Sequence, residues 1–288
     1  MSSRRWMVVG AGGSLAADLL EILDDCDVRA LTRQQLDVSD APAVLDSIGN
    51  VDVVVNCAGY TSVDDAETNQ EQAFAANAAG PQNLARACSR IGARLLHVST
   101  DYVFAGDARS PYGESSECDP RSAYGRSKAA GEVAVQSLLP DRSWILRTAW
   151  LYGSHGPNFV STMKRLESEQ QTVDVVDDQC GQPTWTRDLA TRIRLTVEHD
   201  LPPGVYHATN SGSASWFDLA RAVFELLGAD PNRVRRTTSA RFPRPAARPG
   251  YSVLGHQRWI SVGEEPMRSW RQALDEAAPV VLGTASRT

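Results

Sequence analysis

Lysine is almost absent from this chain: 288 residues contain two, Lys128 and Lys164, against 27 arginines. Where arginine is the default cation, a lysine marks a position that calls for a compact ammonium rather than a guanidinium fork. Long apolar runs are also missing, and nothing approaches the ~20 residues of a membrane-spanning helix. Arg4-Arg5 is followed only by Trp6–Val9 before glycines begin, too short for the apolar region of an export signal. The five cysteines (Cys26, Cys57, Cys88, Cys118, Cys180) are odd in number and widely spaced, with no C-x-x-C. That pattern excludes a disulfide framework and fits reduced thiols in a cytoplasm. The five histidines show no ligand spacing, so no metal site is expected from them. A net charge of −6, with no basic block interleaved with aromatics, argues against a nucleic-acid partner. The arginines of 233–248 are separated by Pro, Ser and Thr, which reads as a loop rather than a polyanion track.

What the chain does contain is alternation. Trp6–Val9, Val28–Leu31, Val51–Cys57, Leu95–Val98 and Trp144–Leu146 read as parallel strands buried on both faces. Ser14–Leu23, Pro42–Ile48, Glu67–Ile91 and Tyr124–Leu139 carry helical periodicity between them. Strand and helix in turn predict an α/β fold, a Rossmann-like doubly wound parallel sheet. Beyond residue 150 the alternation weakens to a helix at Thr186–Val197, a strand at Val205–Ala208 and a helix at Trp216–Leu227. A Pro/Arg-rich segment from Arg241 to Pro249 and a short helix near Met267–Ala277 follow. The expected division is a nucleotide-binding domain over 1–150, with part of 186–210 packing back on it, and a smaller C-terminal substrate-binding lid over 151–288. The tail from Ala278 is expected to fray.

Gly10-Ala11-Gly12-Gly13-Ser14-Leu15-Ala16 follows the first strand and opens the first helix. Gly10 and Gly13 let the backbone approach a pyrophosphate, whose charge sits at the helix N-terminus with Ser14 and Leu15. The second strand ends in Leu31-Thr32-Arg33, without the acid that usually binds a ribose 2′-hydroxyl. A guanidinium at 33 suits a 2′-phosphate, so NADPH is favoured and NADH is left open. Asp37 and Val38 fall where they could flank the adenine, and Gly59-Tyr60-Thr61 closes the third strand beside the ribose or phosphate.

Tyr124 and Lys128 stand one helical turn apart, on one face of their helix. An ammonium so placed is expected to lower the phenol's pKa and orient it for proton transfer. Ser99-Thr100-Asp101 follows the fourth strand, where a polar loop should face a ligand. Alone, a Tyr-x-x-x-Lys pair is weak and is as well read as a helix-surface contact; the nucleotide turn upstream gives it force. No G-x-S-x-G elbow competes for a nucleophile role.

The set Thr100, Tyr124, Lys128 is similar to that of short-chain dehydrogenase/reductases. More specifically, Val55–Glu67 (VNCAGYTSVDDAE), Val98–Gly106 (VSTDYVFAG), Tyr124–Glu132 (YGRSKAAGE), Arg147–Trp150 (RTAW), Asp177–Thr184 (DDQCGQPT) and Phe242–Pro249 (FPRPAARP) with Tyr251–Leu254 resemble the dTDP-4-dehydrorhamnose reductase family. The resemblance runs from residue 7 to about 275 of the chain. It implies NADPH-dependent reduction of the C4 keto group of a dTDP-4-dehydro-6-deoxyhexose. It further implies Tyr124 as the acid, Thr100, Asp101, Tyr102 and Trp150 on the sugar, and Lys128 on both phenol and nicotinamide ribose. Trp150 reads almost as well as a core aromatic ending the fifth strand.

Two departures from the family pattern touch the cofactor bed: Ala16 replaces the usual glycine and Gly59 the usual alanine. Some members dimerise through a magnesium ion held by glutamates. Asp18 falls near one such position, but Arg187 stands where an acid is expected, so the metal is not carried over and a homodimer is left open. Two other readings stay open: a 4-ketoreductase for another dTDP-deoxysugar, of antibiotic-sugar or dihydrostreptose type, and a non-catalytic NADP-binding subunit.

Overall fold

A computed structural model describes residues 4–284, so the beginning of the segment read against an export signal and the last four residues of the tail lie outside the described residues. The first half runs β1 (Arg5–Val9), α1 (Ser14–Ile22), β2 (Asp27–Leu31), α2 (Ala41–Ser47), β3 (Val53–Asn56), α3 (Gln70–Phe74), α4 (Gly80–Ile91), β4 (Arg94–Thr100), α5 (Ala123–Leu138) and β5 (Ser143–Thr148). The second half runs β6 (Leu151–Tyr152), α6 (Phe159–Glu169), β7 (Val173–Val176), β8 (Cys180–Gly181), β9 (Thr184–Trp185), α7 (Thr186–Glu198), β10 (Gly204–His207), β11 (Ala214–Ser215), α8 (Trp216–Leu226), β12 (Val234–Thr237), α9 (Gln257–Ser261) and α10 (Trp270–Leu282).

Six parallel strands form the main sheet in the order β10-β5-β4-β3-β1-β2. Strand residues alternate between two cores, as a pleated sheet covered on both faces requires. Trp6, Val8, Val53, Val55, Leu96, Trp144 and Leu146 meet α1 and α7 on one face. Met7, Val9, Val54, Leu95 and Ile145 meet α2, α4 and α5 on the other. The chain order reverses between β1 and β3, and the crevice outside the carboxyl ends of strands at such a switch point is where doubly wound sheets bind ligands.

Several sequence expectations are corrected. β2 is an edge strand with Asp27 and Arg29 exposed, so it is not buried on both faces. The helical stretch 67–91 is broken into a 3₁₀ turn at Asp65–Glu67, α3, a π turn at Ala75–Ala79 and α4, which begins at Gly80-Pro81. Pro81 has no amide to continue the ladder, so it fits the first turn of a new helix. The tail does not fray from Ala278: α10 continues to Leu282, with Ala278 and Leu282 buried and Gly283 (φ +68°) closing it. The arginine stretch is a strand at its start, β12 beside β7, and its charges are spent on acids: Arg233 on Glu167, Arg235 on Asp174, Arg236 on Asp177, Arg248 on Asp64.

A second apolar core holds together the part of the second half away from the main sheet, a lid by position only, with Tyr152, Val160, Met163, Val173, Phe217, Phe224 and Leu274 among its members. A strap over Pro249–Gly255 ties this part to the sheet. Gly106 O accepts from Tyr251 N at 2.9 Å, Cys180 N donates to Gly250 O at 2.9 Å, and Ser252 N donates to Cys180 O at 2.9 Å. The strap therefore lies between the loop that follows β4 and the β8 edge of the lid. Among the described residues no helix is long and apolar enough to cross a membrane, and all five cysteines are free.

Candidate active site

The glycine turn is built by close approach. Gly10 has φ +78°, and a Cβ there would lie 2.5 Å from the Ala58 amide nitrogen, so only glycine fits between β1 and β3. Leu31 O accepts from the Gly10 and Ala11 amides at 2.9 and 3.0 Å, which ties the turn to the end of β2. A Cβ on Gly12 would meet nothing within 4 Å, so the backbone here borders open space. α1 starts at Ser14 with no side-chain cap, whereas Asp40, Ser122, Asn158, Ser215 and Ser269 cap α2, α5, α6, α8 and α10. Uncapped amides at a positive helix end fit a pyrophosphate. The Leu15 side chain is buried in the core, which leaves its backbone amide as the group that can serve a ligand. Ala16 is likewise a core residue, so its methyl does not enter the cradle.

At the end of β2, the Arg33 side chain is 85% exposed, with its Nε 4.0 Å from Asp37. Its guanidinium is free to meet an incoming anion. The Asp37 carboxylate accepts from the Ser39 amide (2.9 Å) and hydroxyl (2.7 Å), which hold it below its ordinary pKa. Val38 is a core residue against which a Cβ on Gly80 would close to 2.6 Å, and its carbonyl accepts from Asn83 at 3.0 Å.

Gly59, Tyr60 and Thr61 are placed by a residue that sequence reasoning misses. Asn77, fully buried in the π turn, accepts from Tyr60 N at 2.8 Å and donates to Tyr60 O and Ser127 Oγ, both at 3.0 Å. Ser127 in turn donates to Tyr124 O at 2.8 Å. One amide thus couples the loop after β3 to the helix that carries Tyr124 and Lys128. Two glycines admit it: a Cβ on Gly131 would lie 2.1 Å from Asn77 O, and one on Gly59 would press to 3.0 Å from Asn77 Oδ1. The glycine at 59 relieves a contact that the family's usual alanine would make tight. A π turn at such a junction follows the tendency of π-bulges to occur at functional sites.

Thr100, Tyr124 and Lys128 converge at the carboxyl end of β4. Thr100, 6% exposed, donates to Asp101 Oδ1 at 3.0 Å and accepts from Tyr102 N at 3.3 Å. Burial of Tyr124 and the neighbouring Thr100 hydroxyl act on the phenol in opposite directions. Burial is the stronger influence and pushes Tyr124 up to about 12. Lys128, 5% exposed, donates to Val98 O at 2.6 Å, and burial lowers its ammonium to about 8. The Lys128 ammonium is thus engaged with a carbonyl of β4, thirty residues away in the chain.

Asp101 is nearly enclosed, at 1% exposure, and burial raises it to about 6 against the hydroxyls of Ser252 and Thr100. It stands as support for Thr100 more than as an open sugar contact. Tyr102 packs edge-on to Tyr124, ring centroids 5.5 Å apart at 73°. Gly125 allows α5 to start there, since a Cβ would lie 2.2 Å from Tyr102 O. Trp150, partly exposed, has φ +47° and stacks flat on Trp216.

Space also assembles Asp18, Glu21 and His155, whose ligand atoms lie within 4.8 Å of one another. Sequence spacing offers no hint of this trio as a set, because His155 lies more than 130 residues beyond Asp18 and Glu21. The set does not fit a cation: Asp18 accepts from the Thr186 hydroxyl, and Arg187 Nη1 lies 2.8 Å from Glu21. A guanidinium already supplies the positive charge, so no metal is assigned.

A doubly wound sheet with a glycine turn at its switch point and a Thr/Tyr/Lys set beside it defines a nucleotide-dependent reductase of the short-chain class. Residues 4–281 match the family described as RmlD substrate binding domain, and the chain belongs to that family. The chain is 51% identical over 291 residues to a dTDP-4-dehydrorhamnose reductase of Streptomyces griseus, covering 98% of this chain and 96% of the relative. It is 52% identical to a probable dTDP-4,6-dihydroxy-2-methyloxan-3-one 4-ketoreductase of Streptomyces antibioticus, covering 96% of each. A crystal structure of Bacillus anthracis dTDP-4-dehydrorhamnose reductase in complex with NADP superposes with a TM-score of 0.92 at 37% identity, covering 96% of this chain and 98% of that one.

Proposed function

We propose that this chain is an NADPH-dependent reductase of dTDP-4-keto-6-deoxyhexoses, acting on dTDP-4-dehydrorhamnose to give dTDP-L-rhamnose. The observation that carries the reading is that Thr100, Tyr124 and Lys128 gather at the carboxyl end of β4, in the parallel sheet whose β1 ends in the glycine turn. The Gly10–Leu15 backbone would hold the pyrophosphate, Arg33 the 2′-phosphate, the Asp37-Val38 backbone the adenine, Gly59–Thr61 the adjoining ribose and Lys128 the nicotinamide ribose. NADPH bound there supplies the hydride. Thr100, turning its hydroxyl proton from Asp101 to the C4 carbonyl oxygen, would align that oxygen beside the Tyr124 phenol. Tyr124 then gives its proton to the oxygen as negative charge develops there. With a pKa of about 12 the phenol keeps its proton across the neutral range, so it is always ready to donate. Tyr102 and Trp150 would border the sugar, with Asp101 behind Thr100. The nucleotide domain comprises 1–150 together with α7 and β10, and the rest of 151–288 is chiefly the substrate lid, in a cytoplasmic protein.

Two tests apply. The 2′-phosphate role of Arg33 rests on its exposed, acid-free strand end. Arg33→Ala should remove a charge-assisted contact of about 1.5–3 kcal/mol and raise KM for NADPH about tenfold or more, with KM for NADH little changed. An unaltered NADPH/NADH ratio rejects the role. For substrate, the comparable identity to the Streptomyces antibioticus 4-ketoreductase favours a second reading, another dTDP-4-keto sugar. Steady-state kinetics on dTDP-4-keto-6-deoxyhexoses that differ in ring configuration, with the C4 configuration of each product read by NMR, decides between them. The rhamnose reading requires the highest kcat/KM on dTDP-4-dehydrorhamnose, and a clear preference for another hexulose moves the second reading to first place. The intact Thr/Tyr/Lys set disfavours a non-catalytic subunit, which would bind NADPH without turning over any of these sugars.

A further inference from the structure

We propose that Trp216, with Gln179 behind it, is the positioning residue of the sugar site: it fixes the indole of Trp150 as the wall against which the deoxyhexose is held. The inference rests on the reductase reading above. Trp150 lies two residues beyond Thr148, whose backbone is in register with Thr100 across β4 and β5. Its φ of +47° is a conformation that bulky L residues rarely adopt, so the surroundings must hold it there.

Two contacts do so, and a third backs them. Trp216 stacks on it with ring centroids 3.6 Å apart and planes at 6°. Gly181 leaves room for its edge, since a Cβ at that position would lie 2.5 Å from indole Cε2. Phe159 backs Trp216 at a centroid distance of 4.5 Å. Trp216 is itself oriented: its indole N–H donates to Gln179 Oε1 at 3.1 Å, and Gln179 Nε2 donates to Ser239 Oγ at 2.7 Å. It opens α8 behind the Ser215/Asp218 capping box, with Ser215 Oγ bound to Asp177. Trp150 comes from the end of the sheet and Trp216 from a lid helix, so the stack joins the two parts of the molecule at the crevice. Both rings remain partly exposed. Flat aromatic surface of this kind suits the apolar C–H face of a 6-deoxy sugar, and its orientation decides how the C4 carbonyl meets Thr100 and Tyr124.

The test compares Trp216→Ala, Trp216→Phe and Gln179→Ala with the unmodified protein, using NADPH and dTDP-4-dehydrorhamnose. Trp216→Ala is expected to raise KM for the sugar about tenfold or more, with KM for NADPH within about twofold of the starting value. Trp216→Phe should recover most of that loss, and Gln179→Ala should shift the sugar KM in the same direction by a smaller factor. A sugar KM that does not change, or a proportional change in both KM values and kcat, overturns the proposal in favour of simple packing. If Trp216→Ala does not fold, Gln179→Ala and Trp216→Phe carry the same comparison. Failure of the unmodified protein to reduce any dTDP-4-keto sugar defeats the reductase reading instead, so the two failures are distinguishable.

Discussion

Tyr124→Phe is expected to lower kcat by a factor on the order of 10² or more, with NADPH binding largely intact. The substitution removes one oxygen from a ring that is only partly exposed and packs against Tyr102. The packing should therefore survive while the proton does not. The size of the loss follows from the surroundings of the phenol. Thr100, the hydroxyl beside it, is itself anchored to buried Asp101, and an alcohol is too weak an acid to replace a phenol. Rapid-quench or steady-state kinetics at saturating NADPH, with cofactor Kd measured separately, checks the prediction. Turnover near the starting value would remove Tyr124 from the chemistry.

Glu132→Ala should be the most damaging single change to stability. Glu132 and Arg147 form a bidentate pair with side chains 3% and 5% exposed, at 2.7 Å between Oε2 and Nη2. Breaking a buried pair from one side leaves the other charge without compensation, at a cost of about 3–5 kcal/mol. Arg147 has little to fall back on: Glu114 O, the Cys118 thiol and the face of Phe104. Urea unfolding should show the loss as a lower midpoint with little change in slope. The double variant Glu132→Leu with Arg147→Met should recover much of it, since replacing both partners by apolar groups removes the orphaned charge. A single-variant loss below about 1 kcal/mol would mean that water reaches Arg147 and the pair is not the buried one described.

The parts of the site that are local along the chain are legible from the residues alone. The glycine turn reads directly because Gly10, Gly13 and the start of α1 are neighbours, and the Tyr124/Lys128 spacing reads because one helical turn is a fixed distance. What is not legible depends on contacts between distant segments. Asn77 sits inside a stretch of small residues that resembles an ordinary helix, and only the π turn aims it at Tyr60 and Ser127. Trp216 reads as the first core residue of a capped helix, and nothing nearby in sequence announces Trp150. The hold on the Lys128 ammonium escapes the spacing for a similar reason. Helical periodicity places both on one face, but the carbonyl of Val98, thirty residues away, takes the ammonium. The edge position of β2 is hidden by its apolar residues, since sheet order is not written in any one strand.

The scarcity of lysine gains a physical meaning from this geometry. Lys128 is enclosed beside a strand carbonyl, a setting that suits a compact ammonium better than a guanidinium fork. The most direct test of the central claim is isotopic. The protein is incubated with NADPH carrying deuterium at the transferable C4 position and with dTDP-4-dehydrorhamnose, and the product is examined by NMR. The expected result is one deuterium at sugar C4 in the unmodified protein and almost none, in the same time, with Tyr124→Phe. Tight binding of the labelled cofactor with no deuterium delivered to C4 of any dTDP-4-keto sugar would contradict it.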